Sequence, residues 1–215
     1  TSDWVSAAGL FRNDSALTTI DCSGWVFDSM INMEYLFGSC TELIRLGTEA
    51  SGYTNGVTGI TVGSGTSWRF TAQSGVTAGS GTINIRGLLG GCLKLPDNSL
   101  DVSDWDVRKV KSMGAIFQSC RLLTDIDTTT WDTSSAISMS GLFYGCLALA
   151  ELKVAATTDG TRWNVSNVTN MGGFANSCRL ITTFPGDNWN TANVTSTTRM
   201  FLSCWALETA YVGRK

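Results

Sequence analysis

The chain has 215 residues, 15 Lys and Arg against 18 Asp and Glu, a formal net charge of -3, and no His. Without His there is no Ser-His-Asp triad, no histidine general base and no histidine-ligated metal, and the slightly acidic balance argues against a nucleic-acid surface. With 43% hydrophobic residues and eight Trp, the chain should bury a core, and its length suits one domain, 1–215.

No apolar run reaches the roughly 18 residues that a membrane-spanning helix needs. The cysteines set the organisation. Six of the seven are Cys40, Cys92, Cys120, Cys146, Cys178 and Cys204, with gaps of 52, 28, 26, 32 and 26. The unit is therefore about 26 residues with insertions, as in a repeat protein. Counted from this Cys as zero, the same residue types recur at fixed positions.

In chain order, the first unit is partial. Leu10 and Phe11 stand at -4 and -3, Asp14 replaces the Cys, and Leu17 is at +3. The second unit carries Trp25 (-15), Met33 (-7), Leu36, Phe37, Cys40 and Leu43. The region 47–82 then breaks the period. It reads as two Gly/Ser/Thr-rich loops inserted into one unit, with Trp68 in the Trp column. The rival reading is a decayed extra coil with Val57, Ile60 and Val62 as its apolar positions. The third unit has Ile85, Leu88, Leu89, Cys92 and Leu95. The fourth has Trp105, Met113, Ile116, Phe117, Cys120 and Leu123. The fifth has Trp131, Met139, Leu142, Phe143, Cys146 and Leu149, followed by a shorter insertion near 154–160. The sixth has Trp163, Met171, Phe174, Ala175, Cys178 and Ile181. The seventh has Trp189, Thr197, Met200, Phe201, Cys204 and Leu207. Cys22, Trp4 and Trp205 lie outside the columns, and Trp205 is expected to close the C-terminal coil.

Apolar residues at -10, -7, -4, -3 and 0 have three-to-four spacing. This predicts a short helix of two to three turns in each unit. Ser134-Ser135 and Ser166-Asn167 supply N-cap residues. The +3 and +6 residues, such as Leu17/Ile20, Leu43/Leu46 and Leu149/Leu152, predict a short strand, as in Leu123–Asp127. The expected fold is an α/β solenoid: a leucine-rich-repeat-like, right-handed stack of coils. Short parallel strands would line one concave face and short helices the other.

The recurring Cys has two readings. One is a ladder of buried thiols; the other is disulfide or thiolate-metal chemistry, although no local CxxC is present. The Trp column is either core packing or a half-exposed aromatic stripe for carbohydrate or protein contact. Asp125 and Asp127, or Asp101, Asp104 and Asp106, are paired carboxylates that could act as acid and base or hold Ca²⁺. The simpler reading is that they keep the strand face soluble.

The units Trp105-Asp-Val-Arg-Lys-Val-Lys-Ser-Met113 and Trp163-Asn-Val-Ser-Asn-Val-Thr-Asn-Met171, followed by Phe117-Gln-Ser-Cys120 or by Phe143/Cys146/Leu149 in other units, resemble a known family. It is the BspA-type leucine-rich-repeat family, especially the mycoplasma-lipoprotein-type (DUF285) surface-protein repeats. The resemblance covers nearly the whole chain except 47–82. It implies a non-enzymatic, surface-exposed adhesion module that recognises a protein or glycan on a host or cell surface. The alternative is a structural, decoration or receptor-binding component of a phage or virus particle, in contact with neighbouring subunits. No catalytic, cofactor-binding or metal-binding residue is predicted, and no cofactor. The expected location is extracellular or on the cell surface, or else on the virion surface. The irregular stretch 47–82 is the first place expected to carry recognition.

Overall fold

The structure is a computed structural model that describes residues 5–21, 30–46, 83–96, 100, 102–103, 105–154 and 163–213. Among the described residues, eight short strands run in chain order. They are β1 (Thr19–Ile20), β2 (Arg45–Leu46), β3 (Ile83–Asn84), β4 (Val110–Ser112), β5 (Asp125–Asp127), β6 (Glu151–Lys153), β7 (Thr183–Pro185) and β8 (Thr209–Tyr211). They pair in parallel as β1-β2, β3-β4, β5-β6 and β7-β8, giving four separate two-stranded sheets.

Among the described residues there is no helix. The expected leucine-rich-repeat-like α/β solenoid, with helices on one face, is therefore wrong for this chain. The segment that ends at each Cys is instead a run of overlapping tight turns. In the second unit Leu36 N–H donates to Met33 C=O, Gly38 to Tyr35, and Cys40 to Phe37, at 3.1, 2.9 and 3.2 Å. In the fifth, Leu142 donates to Met139, Tyr144 to Gly141 and Cys146 to Phe143.

The reason lies at positions -5 and -1, where the backbone is left-handed in all seven units. The pairs are Gly9/Asn13, Tyr35/Ser39, Gly87/Gly91, Ala115/Ser119, Gly141/Gly145, Gly173/Ser177 and Arg199/Ser203. A left-handed third residue is what a type II turn requires, and one every four residues interrupts a right-handed helix. A non-glycine residue there costs roughly 1–2 kcal/mol. Hydrogen bonds between units offset that cost. Alternate N–H groups, at -7, -5, -3 and -1, leave their own unit and donate to the next. Thus Met33, Tyr35, Phe37 and Ser39 donate to Asn84, Arg86, Leu88 and Gly90, at 2.8, 2.8, 3.0 and 2.7 Å. The apolar spacing misled because this turn run buries -7, -4, -3 and 0, as a helix face would.

Position -8 forms a second row across the units. Parallel bridges join Ser6 to Asn32 and Asn32 to Asn84, and continue from Ser112 through Ser138 and Asn170 to Ser196; the β3-β4 pair joins Asn84 to Ser112. Every member is Ser or Asn, for a local reason. Asn32, Asn84 and Asn170 accept the N–H of the residue two further on, at 3.1, 3.0 and 2.9 Å. Such Asx turns start the turn run.

The units on either side of 47–82 are bonded directly to each other, through the Met33–Asn84 and Ser39–Gly90 bonds. The stretch 47–82, most of the insertion near 154–160, Cys22, Trp4, Trp25 and Trp68 lie outside the described residues.

The core is a set of side-chain columns shared by neighbouring units. Trp105, Trp131, Trp163 and Trp189 are buried and stack at 5.9, 6.5 and 5.6 Å between ring centres. Phe11 stacks on Phe37 at 5.5 Å, and Phe117 on Phe143 at 5.6 Å. The indole N–H of Trp131 donates to Val102 C=O, and that of Trp163 to Thr128 C=O, both at 2.9 Å. Trp131 and Trp163 thus fill the core and tie their units to the preceding ones. Trp205 does not close the C-terminal end. It is 71% exposed and lies under the Arg179 guanidinium, 4.3 Å from the ring centre.

Candidate binding groove

The thiols come first, because they were candidates for chemistry. Cys40, Cys92, Cys120, Cys146, Cys178 and Cys204 are free thiols, buried except for the half-buried Cys204. Each donates to the backbone carbonyl at -3 of the preceding unit. Cys40 donates to Phe11, Cys92 to Phe37, Cys120 to Leu89, Cys146 to Phe117, Cys178 to Phe143 and Cys204 to Ala175, at 3.0–3.3 Å. The column needs a side chain small and apolar enough to bury, yet able to donate one hydrogen bond, and a thiol is both. Among the described residues, no group of three or more His, Cys, Asp or Glu could hold a metal ion.

Burial holds these thiols protonated. It pushes Cys120 and Cys178 up to about 12 and Cys40 up to about 11. It also raises Cys92, Cys146 and Cys204. The native state keeps protons that the unfolded chain releases above about 9, so unfolding draws strength from rising pH. Stability is then full below about pH 9 and falls steadily towards pH 11–12. Denaturation midpoints measured across that range should fall, and a flat profile would contradict the buried donors. In native buffer a thiol reagent should leave Cys120, Cys146 and Cys178 unlabelled, with full reaction only after unfolding. Rapid labelling of all three in the native protein would remove the ladder.

The paired carboxylates that the structure describes are each engaged by a neighbouring side chain. On β5, Asp125 pairs with Lys153 of β6. Asp127 accepts from the Thr129 hydroxyl at 2.6 Å and its N–H at 2.9 Å, which holds its carboxyl below the usual range. Asp106 pairs with Arg108 at 2.6 Å. Asp101 and Asp104 lie outside the described residues.

The turn run that buries -7, -4, -3 and 0 directs -6, -5, -2 and -1 outward. Across units three to seven these residues line a shallow groove of about 410 Å³. Its walls are Arg86, Gln118, Tyr144 and Arg199, and Ser140 and Asn176 stand between them. Its floor is low because several of the outward positions are glycine. Gly141 and Gly173 carry the left-handed backbone at φ 64° and 62°. Gly114 has no room for a side chain, since a Cβ there would stand 2.8 Å from Ser140 O and 3.0 Å from an Arg86 nitrogen.

The polar walls are partly held in place. Arg86 reaches the Ser140 hydroxyl at 3.4 Å and Glu34 at 3.8 Å. Asn176 is 4% exposed, and its Oδ1 accepts from the Ser177 hydroxyl at 2.8 Å. Tyr144 presents its ring at 39% exposure. Two guanidiniums, two amides, four Ser and Thr hydroxyls and one aromatic ring therefore line one trough, and no carboxylate lines it. Such a set can hydrogen-bond hydroxyls in several directions, cover an apolar face, and pair with an anion.

The sequence pointed to other surfaces. It singled out the strand face, the 47–82 stretch and a half-exposed Trp stripe. The described Trp residues of the column are buried, so that stripe does not exist there. The missed signal was the four-residue spacing of Gly87/Gly91, Gly141/Gly145 and Gly173/Ser177, which marks left-handed turns and the outward face between them.

Among curated proteins and among solved structures, no match to the chain was found. The profile of the family described as "Mycoplasma protein of unknown function, DUF285" matches residues 83–154 and 156–212. These matched segments contain every groove residue and most of the buried Trp and Cys columns. They also span more than half of the chain, which therefore belongs to the DUF285 family of mycoplasma-type surface-protein repeats, a family of unknown function.

Proposed function

We propose that this protein is a non-enzymatic binding module displayed outside the cell, and that its groove recognises an acidic glycan. The observation that carries the reading is the groove between Arg86 and Arg199, lined by Tyr144, Gln118 and Ser140 and by the nearly buried Asn176. An oligosaccharide presents hydroxyls at short intervals along an extended chain. A carboxylate or sulfate on the sugar gives the guanidiniums a planar acceptor. Family membership supports a surface role. No helix among the described residues is long and apolar enough to cross a membrane.

The test is binding of the full chain to immobilised oligosaccharides, with carboxylate- or sulfate-bearing sugars set against neutral ones. Acidic members should bind, and Tyr144→Ala and Arg199→Ala should each weaken binding by about tenfold or more. Both side chains are exposed, so thermal midpoints should stay near that of the wild type. Binding that survives both substitutions would move recognition away from the groove. Binding of a protein partner with no glycan binding would replace the reading.

A further inference from the structure

Within the turn run, the backbone hydrogen bonds between units all run forward. At each junction the N–H groups at -7, -5, -3 and -1 donate forward to the carbonyls at -8, -6, -4 and -2 of the next unit. The two ends of the stack are therefore unlike. At the C-terminal end, the backbone N–H groups of Thr197, Arg199, Phe201 and Ser203 have no hydrogen-bond partner among the described residues. At the N-terminal end, the carbonyls of Ser6, Ala8, Leu10 and Arg12 accept no hydrogen bond among them. Four donors at one end thus match four acceptors at the other, in the same register and on the same turn run.

The apolar surfaces also correspond. Beside the four donors is an open groove of about 460 Å³, lined by residues including Trp189, Val194, Met200, Phe201 and Val212. At the other end Leu10 is 47% exposed, and Phe11 is only partly buried against the core. Phe11 set on Phe201 would extend the column in which Phe11 already stacks on Phe37 at 5.5 Å.

One position does not match. At all six junctions within the chain, the residue at position 0 is a thiol donating to the -3 carbonyl of the unit before it. In the first unit that residue is Asp14. Its Oδ1 accepts from the N–H groups of Ala16 and Leu17, both at 3.2 Å. Seated on another copy, its carboxylate would face the Phe201 carbonyl, one acceptor against another.

We propose that the C-terminal edge docks the N-terminal edge of a second copy of this chain, head to tail, and that the Asp14 carboxylate keeps this association weak. Such a contact does not close on itself, so an unrestrained version would grow into filaments. An acceptor in the donor's place limits that growth, as charges do on exposed sheet edges.

Sedimentation of the full chain over a wide range of concentration, with reductant present, tests this. Asp14→Asn keeps the acceptor for Ala16 and Leu17 but adds a donor, and Asp14→Cys restores the column. Both should associate at least about tenfold more tightly than the wild type. Adding Thr197→Arg and Val212→Arg to Asp14→Asn should return it to a monomer, since both sites are exposed and line the C-terminal groove. The proposal is overturned if Asp14→Asn, folded with a wild-type thermal midpoint, sediments as the wild type does. It is equally overturned if the variant with both arginines associates as strongly as Asp14→Asn alone.

Discussion

Trp131→Ala is expected to destabilise the protein by about 4 kcal/mol, measured by chemical denaturation. Trp131 is fully buried at the middle of the indole column. It stacks on Trp105 at 5.9 Å, Trp163 at 6.5 Å and Phe117 at 6.1 Å. Truncation removes all three contacts and leaves a cavity between units that neighbouring rings cannot fill without moving. It also removes the hydrogen bond from the indole N–H to Val102 C=O, leaving that carbonyl without its indole donor. A loss below about 1 kcal/mol would mean that the column does not hold adjacent units together.

Ser119→Pro should be comparably damaging, at about 3 kcal/mol or more, for a backbone reason. Ser119 has φ 59°, and its N–H donates to Tyr144 C=O at 2.6 Å. Proline fixes φ near -65° and has no N–H, so both the turn and the bond between units are lost. Ser119→Gly is the informative partner. Glycine adopts a left-handed backbone without strain, which offsets its greater entropy when unfolded, and the net change should stay within about 1 kcal/mol. A stable proline variant would show that position -1 is not left-handed. Chemical denaturation of the two variants beside the wild type supplies the comparison.

These two positions show what the sequence disclosed and what it concealed. The columns of Trp131, Phe143 and Cys146 were readable because a buried residue recurs at the same place in every stacked unit. The structure places these residues in the core. The expected helices failed because burial at -7, -4, -3 and 0 is shared by a helix face and by this turn run. Only -5 and -1 distinguish the two, and there Gly87/Gly91 and Gly141/Gly145 pointed to left-handed turns. Tyr35, Ala115 and Arg199 obscured that signal, since they are residues that rarely adopt φ values of 52°, 56° and 55°. The bonds between units hold them in that conformation.

The groove was harder to foresee. Its residues, Arg86, Gln118, Ser140, Tyr144, Asn176 and Arg199, share no residue type and follow no apolar period. They come together only because the turn run directs -6, -5 and -2 outward in successive units. A helix in the same place would have presented a different face. The Asp14 mismatch, by contrast, was visible as a break in the Cys column. Its meaning required the direction of the hydrogen bonds between units.

The central claim is that successive units are joined by runs of left-handed turns rather than by helices packed on strands. The most direct measurement is the far-ultraviolet circular dichroism of the full chain. The account predicts a spectrum of turns and short strands, without the double minimum of helix. A strong helical double minimum in the native protein, lost on unfolding, would contradict it.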